Sequence, residues 1–307
     1  MRPRTLIVGA RTARQGTGRF LAGALSAEGA EVCALVGTSD PTARQAQSAL
    51  ASEYGIDARP YTDLQQALSA EQPQLVLLAS PWQFHQQQLE LIAAAGCHCL
   101  VEKPMLWPAD EKTAQRVVAG FASRQTLLDV VGQWPFALAQ FEALYGATAR
   151  TAESLTMRLS PISIDDSMIP DAAPHFISLL QALAGPGDFH GITFERTTSD
   201  GQPRMAISAR FVHAGGTIAA ELVLETVPER PRPAWFEING LRAEREVELP
   251  EYRQHLVGNG KRVPLPDPMQ VIASAYLAKL RRGEATDSAA LLSAHRNLYQ
   301  LTAAISG

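Results

Sequence analysis

The 307-residue sequence has little that could form a disulfide framework, a metal centre or a membrane anchor. Its three cysteines, Cys33, Cys97 and Cys99, lie in apolar stretches without CxxC spacing, so we expect buried thiols in a reducing compartment. No apolar run approaches the roughly 20 residues that a membrane helix needs. The first residues lead directly into an apolar strand without a secretory segment. These features predict a cytoplasmic protein without a metal ion.

An excess of positive charge is also missing. The 27 Lys and Arg residues face 31 Asp and Glu residues, and the formal net charge is -4. This balance offers no broad basic surface for nucleic acid. The chain is 46% hydrophobic and 19% charged, as in ordinary globular proteins, and is long enough for two domains that each bury a core. We expect a small molecule as its main partner, with neither nucleic acid nor membrane involved.

Residues 1–130 alternate short apolar strands with helices. Strands are predicted at Leu6–Val8, Glu31–Val36, Leu75–Leu78, His98–Val101 and Leu127–Val131, and helices at Phe20–Ala27, Thr42–Tyr54 and Leu89–Ala95. Continuous apolar strands separated by helices are typical of a parallel sheet that is covered on both faces. The pattern therefore predicts an α/β fold, a doubly wound Rossmann domain whose ligand binds beyond the carboxyl ends of the strands.

Residues 131–307 follow a different pattern. Helices are predicted at Pro135–Tyr145, Pro174–Ala184 and Met269–Arg282 and from Ala289 onward, with strands at Met205–Val212, Thr217–Leu224, Trp235–Asn239 and Arg245–Leu249. Strands that follow one another without intervening helices are typical of antiparallel sheets. We therefore expect a C-terminal α+β domain with a mostly antiparallel open sheet, which binds the substrate and forms oligomers.

Glycines follow the first predicted strand, where a Rossmann domain binds the pyrophosphate of a dinucleotide. Glycine lets the backbone approach the phosphates, and the next helix offers free N–H groups. The loop is not a clean GxGxxG motif. Either Gly9, Ala10, Arg11 and Thr12 bind the pyrophosphate directly, or the loop is extended and its later glycines, at 16 and 18, flank the helix start. A plain glycine-rich turn is the competing interpretation.

The second strand ends without the acidic residue that usually binds the adenosine ribose of NAD. Thr38 and Ser39 stand there instead, and their hydroxyl groups suit a 2′-phosphate that Arg11 or Arg14 can neutralise. These arginines are equally consistent with solvated surface charges. Asp40 is interpreted as the cap of the following helix. The sequence thus favours NADP over NAD as the cofactor.

The most informative stretch lies between residues 77 and 104. Ser80-Pro81 is followed by His85, and an Ala-Gly segment leads to the triplet Glu102-Lys103-Pro104. This order and spacing resemble the Gfo/Idh/MocA family of oxidoreductases (glucose-fructose oxidoreductase, inositol dehydrogenase and rhizopine catabolism proteins). The resemblance implies that Ser80 and Pro81 contact the coenzyme. It also implies that the open sheet of the C-terminal domain forms homodimers or homotetramers.

Lys103 lies just beyond the carboxyl end of a predicted parallel strand, where coenzyme and substrate meet. There it can exchange a proton with a substrate oxygen while hydride moves to or from C4 of the nicotinamide. Glu102 either pairs with Lys103 or supports its loop, and Pro104 fixes the turn. For His85 we favour a packed histidine near the coenzyme ribose over a catalytic acid. A surface lysine that opens a loop is the competing interpretation of Lys103.

Asp171 and His175 are four residues apart, so they are neighbours on one face of a helix that starts there. By the resemblance, His175 is the acid–base group or a ligand of a substrate hydroxyl, and Asp171 orients it or binds another hydroxyl. A helix cap at Asp171 and a packed histidine are the structural alternatives. Trp134, shortly after the last parallel strand, either shapes the substrate wall or packs between domains.

The leading hypothesis is therefore an NAD(P)-dependent oxidoreductase that interconverts a hydroxyl and a carbonyl on a small polar substrate, a sugar or cyclitol. Lys103 and His175 take part in the proton transfer. Reduction of an imine or a conjugated bond is an alternative on the same fold. A regulator that binds NAD(P) without turnover is another, although retention of a proton-transfer set argues against it.

Overall fold

The chain forms two compact units, and each contains its own sheet. The computed structural model describes residues 2–10, 16–146, 151–199 and 201–306. The first unit comprises Met1–Val131 and Met269–Leu291, and the second comprises Gly132–Pro268 and Leu292–Gly307. The chain therefore leaves the first unit after residue 131 and returns to it at residue 269.

The first unit is built on a six-stranded parallel sheet in the order β3-β2-β1-β4-β5-β6. Its elements up to residue 131 are β1 (Arg4–Val8), α1 (Gly18–Ala27), β2 (Glu31–Val36), α2 (Asp40–Tyr54), β3 (Arg59–Tyr61), α3 (Leu64–Glu71), β4 (Leu75–Leu78), α4 (His85–Ala94), β5 (His98–Val101), α5 (Glu111–Ala122) and β6 (Leu128–Val130). All four residues of β4 are buried, as expected for a sheet covered on both faces. The strand order reverses between β1 and β4, where doubly wound sheets bind their ligands. The predicted Rossmann domain is confirmed.

Three elements of this unit, β3, α3 and α5, were not predicted. The three residues of β3, Arg-Pro-Tyr, give no apolar run, and the strand tolerates Pro60 because it lies at the edge of the sheet. Helix α3 begins after Asp63, whose side chain accepts a hydrogen bond of 2.6 Å from the backbone N–H of Gln66. This cap is a local signal that the apolar pattern alone does not carry.

The second unit is built on an eight-stranded sheet in the order β14-β13-β12-β11-β7-β10-β9-β8. Its elements are α6 (Leu138–Tyr145), β7 (Ser154–Leu159), α7 (Met168–Ala184), β8 (Gly187–Ser199), β9 (Gln202–His213), β10 (Gly216–Glu225), β11 (Ala234–Ile238), β12 (Leu241–Glu248), β13 (Arg253–Gly258) and β14 (Lys261–Leu265). Strands β7 and β10 are parallel, and the other neighbouring strands are antiparallel. The predicted antiparallel α+β fold is confirmed, although β7, β8, β13 and β14 were not predicted.

The last two helices belong to different parts of the fold. Helix α8 (Pro268–Arg281) packs on the first unit, where the Tyr276 hydroxyl donates to the Leu127 carbonyl at 3.2 Å and Lys279 pairs with Asp129 at 2.7 Å. Helix α9 (Ser288–Ser306) continues into the second unit, where Asn297 binds the Gly187 carbonyl at 2.8 Å. Residues 269–291, which the sequence pattern places in the second domain, complete the first unit in the structure.

In the ranges that the structure describes, no helix combines the length and the apolar character needed to cross a membrane.

Candidate active site

Two glycines bring three segments of the first unit into close contact. Gly9 follows β1 with φ +92°, and a Cβ atom at this position would lie 2.5 Å from the carbonyl oxygen of Ala79. A Cβ atom at Gly18, the first residue of α1, would lie 2.4 Å from the carbonyl oxygen of Gly9. Real side chains do not tolerate such distances. The end of β1, the loop after β4 and the start of α1 can therefore meet only because both residues are glycine.

This contact favours the extended-loop interpretation, because α1 begins only at Gly18, with Thr17 at its N-cap position. Ala10 is buried beside Gly9. Arg11, Thr12 and Arg14 lie outside the described residues. The close approach of the backbone and the N-terminus of α1 fits the pyrophosphate of a dinucleotide, which needs free N–H groups and space near the main chain.

Hydroxyl groups cluster where β2 leads into α2. The Thr42 oxygen accepts a hydrogen bond of 3.0 Å from the backbone N–H of Ser39 and lies 3.3 Å from the Thr38 hydroxyl. Ser39 is the N-cap of α2, and Asp40, the predicted cap, is the first helical residue instead. The capping box explains the difference, because Ser39 and Thr42 satisfy each other's polar groups. Thr42 was missed, although the Ser-x-x-Thr spacing is its signal.

The loop after β4 is held by its own side chains. Ser80 donates a hydrogen bond of 2.5 Å to the Gln88 side chain, one turn into α4. Pro81 precedes a short 3-10 helix, Trp82–Phe84, that leads into α4. Gln88 was not predicted, because a glutamine on a helix gives no signal of its own.

His85 connects this loop to the turn after β5. The side chain is fully buried, with Nε2 2.8 Å from the carbonyl oxygen of Ser80 and Nδ1 3.0 Å from that of Pro104. Burial lowers the pKa of His85, while the contacts with carbonyl groups and the charge of Glu102 act in the opposite direction. Because no part of the ring is exposed, this arrangement suits a positioning residue rather than a group that touches ligand.

The turn that carries Lys103 is hydrogen-bonded both to β4 and to the start of α1. These are two of the segments that meet where Gly9 and Gly18 approach each other and Ala79, here called the glycine contact. The backbone N–H of Glu102 donates to the Leu78 carbonyl at 2.8 Å. The Glu102 carboxylate accepts hydrogen bonds from the Thr17 hydroxyl and from the backbone N–H of Lys103, the latter at 3.1 Å. The Lys103–Pro104 peptide bond is cis, a point that the sequence left open. Glu102 thus links the turn to the start of α1 through Thr17, which was not among the predicted site residues.

In the second unit, α7 carries the Asp–His pair. The helix begins at Met168, six residues before the predicted start, so Asp171 lies in its first turn and Pro174 inside the helix. The Asp171 carboxylate accepts hydrogen bonds from the backbone N–H groups of Ile162 and Ser163 at 3.1 and 3.2 Å. Asp171 therefore anchors the loop after β7 instead of capping α7. His175 is half-buried one turn further on.

The structure thus brings together, at the carboxyl ends of β1, β4 and β5, most of the residues predicted for the first unit. Gly9, Ala10, Ser80, Glu102 and Lys103 belong to this group. Thr38 and Ser39 lie at the end of the neighbouring strand β2, while Asp171 and His175 form a separate pair in the second unit. Among the described residues, no group of three or more His, Cys, Asp or Glu side chains is arranged to hold a metal ion.

Comparison with known proteins gives the class of the first unit. Residues 4–131 match the Gfo/Idh/MocA family, which is described as an oxidoreductase family with an NAD-binding Rossmann fold. The first unit therefore matches the NAD-binding Rossmann domain of an oxidoreductase family. This match covers most of the first unit and confirms the predicted resemblance to the Gfo/Idh/MocA family.

Individual relatives agree with this assignment. A 70-residue stretch is 41% identical to D-glucoside 3-dehydrogenase of Escherichia coli (strain K12), but it spans only 23% of this chain and 19% of that protein. The UDP-N-acetylglucosamine 3-dehydrogenase of Acidithiobacillus ferrooxidans has a similar structure, with a TM-score of 0.72 and 19% identity over 99% of this chain and 98% of that one. A 3-ketoreductase from Actinomadura kijaniata, solved with NADP, gives 0.70 and 17% over 99% and 98%. At these identities the solved structures establish the fold alone.

Proposed function

We propose that the protein is an NADP-preferring oxidoreductase that interconverts a hydroxyl and a carbonyl group on a sugar or cyclitol. The observation that carries this proposal is the fixed position of Lys103. Its turn is tied by Glu102 to the start of α1 and by His85 to the loop after β4. These are the segments that meet at the glycine contact. A lysine that merely opened a surface loop would not need such support.

The residues around the glycine contact suit the coenzyme. Gly9, Ala10 and the N-terminus of α1 would hold the pyrophosphate, and the segment Ser80–Pro81 would line the nicotinamide side. Thr38 and Ser39, with Thr42, present hydroxyl groups at the N-terminus of α2, which suits a 2′-phosphate and supports the preference for NADP. When bound, the coenzyme supplies or accepts the hydride.

Residues of the chain itself have to donate or accept the proton. We assign to the Lys103 ammonium the transfer of a proton to or from the substrate oxygen, and its charge would stabilise the developing alkoxide. His175 would act as a second proton donor or as the ligand of a substrate hydroxyl. Asp171, which anchors the loop after β7, would keep that side of the substrate site in place.

The sugar class is supported by the relatives. The E. coli protein with the 41% identical stretch is a D-glucoside 3-dehydrogenase, and a UDP-N-acetylglucosamine 3-dehydrogenase and a 3-ketoreductase share the fold. For the open sheet of the second unit we propose a homodimer or homotetramer interface, which light scattering can test. The free thiols Cys33, Cys97 and Cys99 support a cytoplasmic location.

The first test is a fluorescence titration with NADPH and NADH, followed by a screen of sugars, cyclitols and imines with either coenzyme. We expect tighter binding of NADPH and turnover of a sugar or cyclitol. Lys103→Met should lower kcat by about 10²- to 10⁴-fold with little change in coenzyme affinity, whereas Lys112→Met, on the exposed face of α5, should change neither. Coenzyme binding without any turnover would favour the regulator, and binding of neither coenzyme would refute the proposal.

A further inference from the structure

Two arginines of strand β12 stack on tryptophans, but their surroundings differ. The guanidinium carbon of Arg242 lies 4.1 Å from the ring centroid of Trp235, and its Nη2 atom lies 3.5 Å from the Glu244 carboxylate. Arg242 and Glu244 are both about half exposed. This group of arginine, aromatic ring and carboxylate is complete within the chain, and the charge of the arginine is balanced.

Arg245, three residues further along β12, has no such balance. Its guanidinium carbon lies 5.7 Å from the ring centroid of Trp134, and its Nη2 atom donates to the carbonyl oxygen of Arg232 at 2.9 Å. Its Nε atom is enclosed and has no acceptor, and no carboxylate of the described residues lies within 4.0 Å of the guanidinium. Burial lowers the pKa of Arg245, yet an arginine keeps its proton in proteins. A partly buried positive charge therefore remains without an anion.

Trp134 adds a second donor at the same place. The side chain is 3% exposed, and its Nε1–H group is buried without an acceptor in the described part of the chain. The ring is held edge-on against Phe236 at a centroid distance of 6.0 Å. Buried donors normally have partners, so two unpartnered donors on neighbouring side chains indicate an acceptor that the chain does not supply.

The position of the pair connects it to the substrate site of the second unit. Trp134 begins a short 3-10 helix, Trp134–Ala137, that packs against α7. Helix α7 is the element that carries Asp171 and His175. A group bound by Arg245 and Trp134 would therefore lie in the same unit as the proposed proton-transfer residue and beside its helix.

We infer that Arg245 and Trp134 bind the negatively charged group of the substrate, so that the substrate is an acidic sugar with a carboxylate or a phosphate. This inference rests on the proposed function and narrows its substrate class. Carboxylate and phosphate oxygens match the donors of a guanidinium, and charge-assisted hydrogen bonds to Arg are the stronger kind. The Trp134 N–H group adds a donor of fixed direction.

The test is isothermal titration calorimetry with D-glucuronate, D-glucose 6-phosphate and D-glucose at constant ionic strength, with and without saturating NADP. We expect at least one acidic sugar to bind about 10-fold more tightly than glucose, as one charge-assisted hydrogen bond predicts. The acid that binds more tightly distinguishes a carboxylate from a phosphate site. Arg245→Gln should abolish the preference, and Arg242→Gln, the matched control on the complete group, should retain it.

Equal affinity for the three sugars, including no binding of any, would overturn the inference, as would a preference that survives Arg245→Gln. If Arg245→Gln does not fold, Trp134→Phe serves instead, because it keeps the ring and removes only the N–H donor. A several-fold smaller preference would then support the inference, and an unchanged preference would overturn it. Failure of the proposed function would be recognised separately, because the wild-type protein would then not bind NADP in the titrations that contain the coenzyme.

Discussion

The two units of the chain build their candidate sites in different ways. In the first unit the part of the candidate site that would hold the pyrophosphate consists of main chain, and Gly9 and Gly18 matter there because they have no side chain. In the second unit the candidate site consists of side chains. The Asp171 carboxylate accepts hydrogen bonds from a loop, and the Arg245 Nε atom has no acceptor among the described residues. A site made of main chain should fail when atoms are added, and a site made of side chains should fail when atoms are removed.

Among the variants that test this comparison, the largest effect is expected from adding atoms at Gly18. Gly18→Val would place Cβ 2.4 Å from the carbonyl oxygen of Gly9, so α1 must move away from β1. We expect coenzyme affinity to fall on the order of 100-fold, which corresponds to about 2.7 kcal/mol and lies within the usual cost of overpacking of about 1–3 kcal/mol. Fluorescence titration with NADPH measures the change. Gly120→Ala on α5, where the new Cβ would meet only a side-chain atom at 3.3 Å, is the control and should leave affinity unchanged.

Removing atoms at Asp171 should have the next largest effect. Asp171→Ala deletes the acceptor of two backbone N–H groups in the loop after β7. We expect a loss of about 2 kcal/mol in the free energy of unfolding, measured with urea, and no change in NADPH affinity. Asp166→Ala removes an exposed ion pair with Arg196 and should cost less than about 1 kcal/mol. A larger loss at Asp166 than at Asp171 would contradict the assigned anchor.

Acidic pH should lower the stability of the first unit through two histidines. Burial lowers the pKa of both His85 and His98, so at mildly acidic pH the unfolded chain binds more protons than the folded one. Stability should therefore be complete above the ordinary histidine pKa of about 6.5 and fall as the pH drops below it. Urea unfolding between pH 5 and 8 measures this. In His85→Gln, the free energy of unfolding should fall less steeply with decreasing pH. A fall as steep as in the wild type would exclude His85 as the cause of the acid sensitivity.

The smallest effect is expected at the start of α2. Thr42→Val keeps the shape of the side chain and removes the acceptor for the Ser39 N–H group. Loss of this half of the capping box should cost about 1 kcal/mol in thermal or urea unfolding. The preference for NADPH over NADH should fall a few-fold in the same variant. Thr42→Ser keeps the hydroxyl and should behave like the wild type in both measurements.

The sequence predicts features that depend on local patterns and misses those that depend on contacts between distant residues. Strands such as β4 and β5 were predicted to the residue, because continuous apolar runs that end abruptly leave little choice. The start of α7 was placed too late because Pro174 resembles a first-turn proline, although it lies inside the helix. Thr17 and Arg245 were missed, since their roles come from residues far away in the sequence: Glu102 lies 85 positions after Thr17, and Trp134 lies in a short 3-10 helix of another segment. Such contacts leave no local pattern.

The return of the chain to the first unit at residue 269 affects how the protein is made. The parallel sheet is finished by Val131, but part of the surface around Leu127 and Asp129 is covered by Tyr276 and Lys279 of α8. A ribosome must therefore translate residues 132–268 of the second unit before the coenzyme-binding unit can close. A nascent chain stalled within the insertion would still expose this surface to chaperones and proteases. Coenzyme would then protect the chain only after synthesis has passed α8.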